Sequence, residues 1–168
     1  MIPLALLLMA AAGSPGILTP HGEKAVVLLF IRSDCPISNR YAPELERLYR
    51  EYSPKGVDFL LVYPETGLSE SAMREHGREY GYTIPAVLDP KHEYVQRAGA
   101  HVTPEAVVFV SGKVIYRGRI DDWYIDIGKS RQRASEHDVA DVLAGIVAGR
   151  TPPFRETQAV GCAIETLL

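Results

Sequence analysis

The sequence predicts an α/β fold: a mixed central sheet covered by helices on both faces. Three observations carry that expectation. Residues 25–31 (AVVLLFI) and 57–63 (VDFLLVY) are short apolar runs of the kind that form strands buried on both faces. A helical apolar pattern lies between them, so the unit is strand–helix–strand and its strands run parallel. Farther along, two strand-like runs flank Ser111-Gly112, a tight hairpin that adds antiparallel strands.

Each element has its own signal. In the first helix Tyr41, Leu45, Leu48, Tyr49 and Tyr52 recur at helical spacing, and Gly56 ends it. Residues 69–80 form a second helix stopped by Gly81, with Gly77 as a weak point inside it. Residues 86–88 (AVL) read as a short strand. Asp89-Pro90 then reads as an N-cap and first-turn proline opening a short helix through Ala98. Residues 107–110 and 113–116 are the hairpin strands. Ser135-Glu136-His137-Asp138 reads as a capping box for a last helix. The buried stripe of that helix is Val139, Val142, Leu143, Ile146 and Val147, and Gly149 closes it. Thr151-Pro152-Pro153 prevents any continuation, and residues 154–168 read as a tail laid over the domain.

Length and composition agree with one ordinary domain. The chain has 168 residues, 46% apolar and 23% charged, so neither disorder nor a collagen-like repeat fits. Its 18 Lys+Arg against 21 Asp+Glu give a net charge of −3, unlike the basic footprint of a nucleic-acid binder. Two cysteines are too few for a disulfide scaffold or a structural zinc site. Residues 2–12 (IPLALLLMAAA) are too short to span a bilayer, which takes about 20 residues. The run reads as the core of a secretory signal ending near residue 13, although no Lys or Arg precedes it; the alternative is a buried N-terminal strand. Export implies a periplasmic or secreted protein, in a compartment where disulfides persist. The expected organisation is a signal over residues 1–13, a domain over 14–153 and a tail over 154–168 that carries Cys162.

Cys35 carries the clearest chemistry. It stands just past the first strand, in Arg32-Ser33-Asp34-Cys35-Pro36-Ile37-Ser38, where the next helix begins. Unpaired N–H groups and about half a positive charge at a helix start favour a thiolate, the nucleophilic form of cysteine. The alternative is a thiol serving as a small buried hydrophobe. Polar Ser33 and Asp34 beside it predict an exposed sulfur. Ser38 either donates a hydrogen bond to the thiolate or is ordinary first-turn polarity.

The strand, the Cys35-Pro36-x-Ser38 helix start and Pro43 eight residues past the cysteine together resemble the thioredoxin-like superfamily. The resemblance implies a three-layer sandwich whose active cysteine opens a helix kinked by a proline. Val102-Thr103-Pro104-Glu105 is similar to the cis-proline loop of that superfamily, which lies beside the active cysteine and binds substrate backbone. The redoxin and peroxiredoxin-like branch (alkyl hydroperoxide reductase and thiol-specific antioxidant) is a closer match. It shares an insertion like residues 69–98, a stretch like Tyr116-Arg117-Gly118-Arg119-Ile120-Asp121 and an ending like Gly161-Cys162-x-Ile164. The resemblance covers roughly residues 22–164. Two departures stand out: Ser38 occupies the place of the second cysteine of thioredoxins, and Arg32 that of the peroxide-binding Thr or Ser of peroxiredoxins.

What the resemblance implies is a thiol-based oxidoreductase or antioxidant. Cys35 attacks a peroxide or a disulfide, with Ser38, Thr103 and Pro104 positioning the substrate. An external thiol reductant, either a thioredoxin-type protein or a small thiol, restores the reduced state. Cys162 is either the resolving thiol or an unrelated tail cysteine; resolution needs its Cα within about 4.4–6.8 Å of that of Cys35. Thr103-Pro104 is otherwise a plain loop proline, and Arg119 either lends charge to the site or is an exposed strand-end arginine. Residues 129–133 read as a solvated basic loop. No cofactor is implied, and His101 with Cys35 would leave a soft metal underligated. No nucleic-acid partner and no stable membrane span are expected. The other class of function is a non-catalytic module that binds extended peptides or a metal.

Overall fold

The computed structural model describes residues 22–167, so the N-terminal apolar run and its expected cleavage point lie outside the described residues. β1 (Ala25–Phe30) is buried throughout because strands flank it on both sides. Parallel β2 (Val57–Tyr63) lies on one side, with Ala25 opposite Val57 and Phe30 opposite Val62. Antiparallel β5 (Glu105–Val110) lies on the other, with Leu28 opposite Val107. With β3 (Ala86–Leu88), β6 (Lys113–Gly118) and β9 (Arg155–Glu156) the sheet has the order β3-β2-β1-β5-β6-β9. The β5–β6 turn has Ser111 and Gly112 at φ 50° and 75°, the left-handed pair that a two-residue hairpin requires.

Alternation along β1 divides the core. Val27 and Leu29 face α1 (Pro36–Tyr52) and α4 (Asp138–Val147), packing with Tyr41, Leu45, Leu48, Val142 and Leu143. Val26, Leu28 and Phe30 face α3 (Glu93–Ala98), packing with Ala98 and Ala100. The helix α2 (Glu70–Glu79) is capped by the Ser69 hydroxyl, which accepts from the Ala72 amide at 3.1 Å. Helices therefore cover both faces of a mixed sheet. No helix among the described residues is long and apolar enough to cross a membrane.

Two expected helix starts are displaced. α3 begins at Glu93, three residues after Pro90, because residues 89–92 turn first and the Asp89 carboxylate reaches forward. It accepts from the amides of Glu93 at 2.8 Å and Val95 at 3.0 Å. The Ser135 capping box does not form, since the Asp122 carboxylate captures the Ser135 hydroxyl and the amides of Ser135 and Glu136. α4 starts at Asp138, whose carboxylate is 1% exposed and accepts from Arg119 at 2.7 Å and from Arg155. One buried carboxylate thus ties the end of β6, the start of α4 and the tail strand β9 together. Asp138→Ala leaves two guanidinium groups without that partner, and because both arginines are partly in water the expected loss is about 2 kcal/mol. Chemical denaturation of the reduced protein measures it, and a loss below ~0.5 kcal/mol would deny the junction this role.

Candidate active site

Pro36 opens α1, and the residue before a proline is driven to extended backbone; Cys35 is accordingly the N-cap, with φ −88° and ψ 111°. Its side chain makes no short cap hydrogen bond, but the Ser38 amide and hydroxyl lie close enough to favour the thiolate. Ser38 is itself fully buried, and its Oγ accepts from the Arg32 amide at 3.5 Å. Pro43 lies inside the helix.

The sulfur is not exposed, contrary to the expectation drawn from Ser33 and Asp34. Cys35 is 0% exposed because residues far along the chain cover it. The Sγ atoms of Cys35 and Cys162 lie 2.6 Å apart, across 127 residues of sequence. As a thiol Cys35 also donates to the Thr103 carbonyl at 3.3 Å. Burial alone would push the Cys35 pKa up; the Cys162 thiol and the Ser38 amide and hydroxyl outweigh it and hold the pKa below that of an ordinary thiol. Cys162 is pushed up to about 11 by burial and by the Cys35 sulfur that accepts its hydrogen. Of the two sulfurs, Cys35 therefore loses its proton first, and Cys162 keeps its own.

The tail reaches the site as two short strands. β9 pairs parallel with β6, and the Thr157 amide donates to Arg117 O at 3.0 Å. Tyr116 bonds Thr157, and Arg117 pairs with Glu156. Beyond a five-residue span, β10 (Cys162–Ala163) pairs antiparallel with β4 (Val102–Thr103), placing Cys162 opposite Thr103. The Thr103 hydroxyl donates to Cys162 O at 3.3 Å, and the Ile164 amide to His101 O at 2.9 Å. A Cβ on Gly161 would lie 2.0 Å from the Thr103 carbonyl oxygen, so only glycine lets the tail approach this closely. The Thr103–Pro104 peptide is cis.

Several residues that brace the site escaped the sequence reading. Buried Glu105 accepts from the amides of His101 at 2.7 Å and Val102 at 3.3 Å, fixing the β4 loop. A charge beginning an otherwise apolar strand was its signal. Asn39, one turn after Cys35, donates to Ser33 O at 3.0 Å, and its Oδ1 lies 2.9 Å from Nε2 of His76. The Tyr63 hydroxyl lies 2.9 Å from His76 Nδ1, completing a chain from β2 to the Cys35 loop. Burial holds His76 below the usual histidine range, so Nε2 carries the ring proton toward Asn39 and Nδ1 accepts from Tyr63. Glu65 receives the Ser33 amide at 2.9 Å and hydroxyl at 2.5 Å on Oε1, while Oε2 is buried without a partner. Burial raises its pKa, so this carboxyl holds a proton more readily than usual. It lines a cavity of about 240 Å³ with Arg32, Asp34, Ile164 and Glu165.

Other candidates lie elsewhere. Arg119 is committed to Asp138 and Glu136 at the start of α4. The side chain of His101 is exposed, and no group of three metal-ligating side chains occurs among the described residues. Residues 129–133 are exposed and partly strand: β8 (Lys129–Ser130) pairs with β7 (Tyr124–Asp126). The arrangement is thus a dithiol, one sulfur biased toward the anion and a second in contact with it, on a braced loop.

Comparison with known proteins agrees with the fold. The Redoxin family model matches residues 8–123. The thiol-disulfide oxidoreductase ResA of Halalkalibacterium halodurans is 28% identical over 85 residues, 51% of this chain and 47% of that protein. The chain thus spans about half the length of that curated relative. An uncharacterized conserved protein from Geobacillus kaustophilus superposes with a TM-score of 0.73 at 28% identity, over 85% of this chain and 77% of that one. A hypothetical protein from Sinorhizobium meliloti superposes at 0.71 with 19% identity, over 84% and 79%.

Proposed function

Because the chain belongs to the Redoxin family and has the thioredoxin-like fold, we propose that it is a thiol–disulfide oxidoreductase cycling between a Cys35–Cys162 dithiol and its disulfide. The observation that carries this reading is the 2.6 Å separation of two sulfurs that stand 127 residues apart in sequence. The Cys35 thiolate attacks one sulfur of a substrate disulfide; the electron pair of the broken bond leaves on the other substrate sulfur, which takes a proton. Cys162, as its proton departs, attacks Cys35 Sγ in the mixed disulfide and expels the second substrate thiol. Two electrons and two protons pass to the substrate, and an external dithiol returns them. Ser38 holds the Cys35 anion. Because Cys35 is covered, β10 lifts from β4 for the first attack, leaving the Thr103–Pro104 edge for substrate backbone. A two-residue ladder, the Ile164 amide and the Thr103 hydroxyl hold it there.

A disulfide suits this site better than a peroxide. Arg32 is paired with Asp34 at 2.9 Å, and Arg119 is committed to Asp138, so neither guanidinium is available to polarise an O–O bond. The test compares insulin reduction with hydrogen peroxide consumption, both driven by dithiothreitol. Accelerated insulin reduction with peroxide loss at the background rate is expected. The reverse result makes the protein a thiol peroxidase, and inactivity toward both, with Cys35 alkylated like an ordinary thiol, makes it a binding module.

A further inference from the structure

We infer that the groove between the start of α1 and the β7–β8 hairpin seats a thiol-bearing, acidic segment of a redox-partner protein, and that the partner's thiolate attacks Cys162 and not Cys35. The inference rests on the dithiol–disulfide reading above and adds which sulfur is attacked, from which side and by what.

The two sulfurs differ in access. Cys35 is 0% exposed, whereas Cys162 is half-buried and lines a cavity of about 360 Å³. The other approach, along the β4 edge, is occupied by β10. They also differ as leaving groups. Attack on Cys162 expels Cys35 as a thiolate beside the Ser38 amide and hydroxyl, both of which stabilise that anion. Attack on Cys35 would have to expel Cys162, whose anion the site disfavours.

The groove's walls suggest the chemistry of its occupant. Pro36, Ile37, Tyr124, Ile127 and Cys162 make it largely apolar, and Arg40 supplies a cation. Arg40 lies 5.4 Å over the Trp123 ring and has no ion-pair partner among the described residues. At the hairpin, Ile127 is 73% and Ile125 46% exposed, so apolar surface continues outward beyond the cavity. The hairpin is held in place: the Tyr41 hydroxyl and the Trp123 amide both donate to Asp121, and Trp123 Nε1 donates to Arg131 O at 3.0 Å. An apolar wall running past the cavity fits a protein segment better than a small thiol, and a guanidinium without an ion-pair partner among the described residues, on a chain of net charge −3, selects an acidic neighbour to the partner's cysteine.

The exchange balances. The partner thiolate forms an S–S bond with Cys162 as the Cys35–Cys162 bond breaks, and its electron pair stays on Cys35. The partner's second thiol gives up its proton and attacks the partner sulfur of the mixed disulfide. Cys162 leaves and is protonated; the partner is oxidised by two electrons and this chain reduced.

The test uses the full chain in its oxidised form. Reduction by a thioredoxin is compared with reduction by dithiothreitol for wild type, Ile127→Asp and Arg40→Glu. A thioredoxin whose second active-site cysteine is replaced by serine supplies the trap, with an acid quench and peptide mapping. A mixed disulfide on Cys162, and variants slowed at least about tenfold more toward thioredoxin than toward dithiothreitol, are expected. A mixed disulfide on Cys35, or equal rates ratios in wild type and variants, overturns the proposal. If no Cys35–Cys162 disulfide forms, the oxidoreductase reading falls first and the docking site falls with it.

Discussion

Cys35→Ser will reduce disulfide turnover to background, at least about 10³-fold below wild type, whereas Cys162→Ser will stop after one stoichiometric exchange. A serine hydroxyl is un-ionised near neutral pH, so Cys35→Ser removes the attacking anion while keeping the volume of the side chain. Cys162→Ser leaves a hydroxyl where the thiol was, and it still donates to the Cys35 sulfur. The first attack therefore survives, and the mixed disulfide on Cys35 has no second sulfur to release it. Turnover under excess substrate and the mass of the stalled adduct measure the two outcomes. The pH profile follows from the opposed shifts. Cys35 alkylation levels off at a pH below that of an ordinary thiol because its anion is favoured, while Cys162 reaches half its full rate only near pH 11. Wild-type turnover by Cys162→Ser would remove the tail from the reaction, and an ordinary profile for Cys35 would remove the activated nucleophile.

Sequence revealed what depends on near neighbours. β1 and β2 are continuous apolar runs because both faces are covered, and the α1 stripe matches the residues that meet them. Cys35 was legible as a helix start because Pro36 fixes the first turn locally. Its burial was not legible: Cys162 and Thr103, which cover it, arrive from residues 127 and 68 positions away. The misplaced helix starts have the same cause. Ser135 has the right spacing for a capping box, but Asp122, 13 residues earlier, offers its hydroxyl and amide a charged acceptor. The bracing contacts from Glu65 and the Tyr63–His76–Asn39 chain are likewise tertiary, so no local period announces them. Cys162 was legible as a candidate partner, while its approach to Cys35 depends on β10 finding the β4 edge.

Gly161→Ala will slow formation of the Cys35–Cys162 disulfide about 10²-fold while leaving the fold nearly as stable as wild type. The added methyl would meet the Thr103 carbonyl oxygen at 2.0 Å, its carbon at 2.6 Å and the Pro104 nitrogen at 3.1 Å. These are backbone atoms of a loop pinned by Glu105, so the tail yields instead. Cys162 follows Gly161 directly, and lifting one moves the other off the Cys35 sulfur. A shift near 1 Å is enough to cost this much when two reacting atoms must meet in line. The six-stranded sheet lies outside the disturbed pairing, and the tail meets the two cores through the partly buried side chains of Val160, Cys162 and Ile164, which explains why stability is largely spared. Uncovering Cys35 has an opposite consequence: the variant's thiolate is alkylated faster than wild type at the same pH. Stopped-flow oxidation with acid-quenched thiol counting gives the first rate, and mass-resolved alkylation gives the second. If disulfide formation is unchanged while alkylation rises, Cys162 reaches Cys35 by motion independent of the β10–β4 ladder. If both are unchanged, the ladder does not govern access to Cys35.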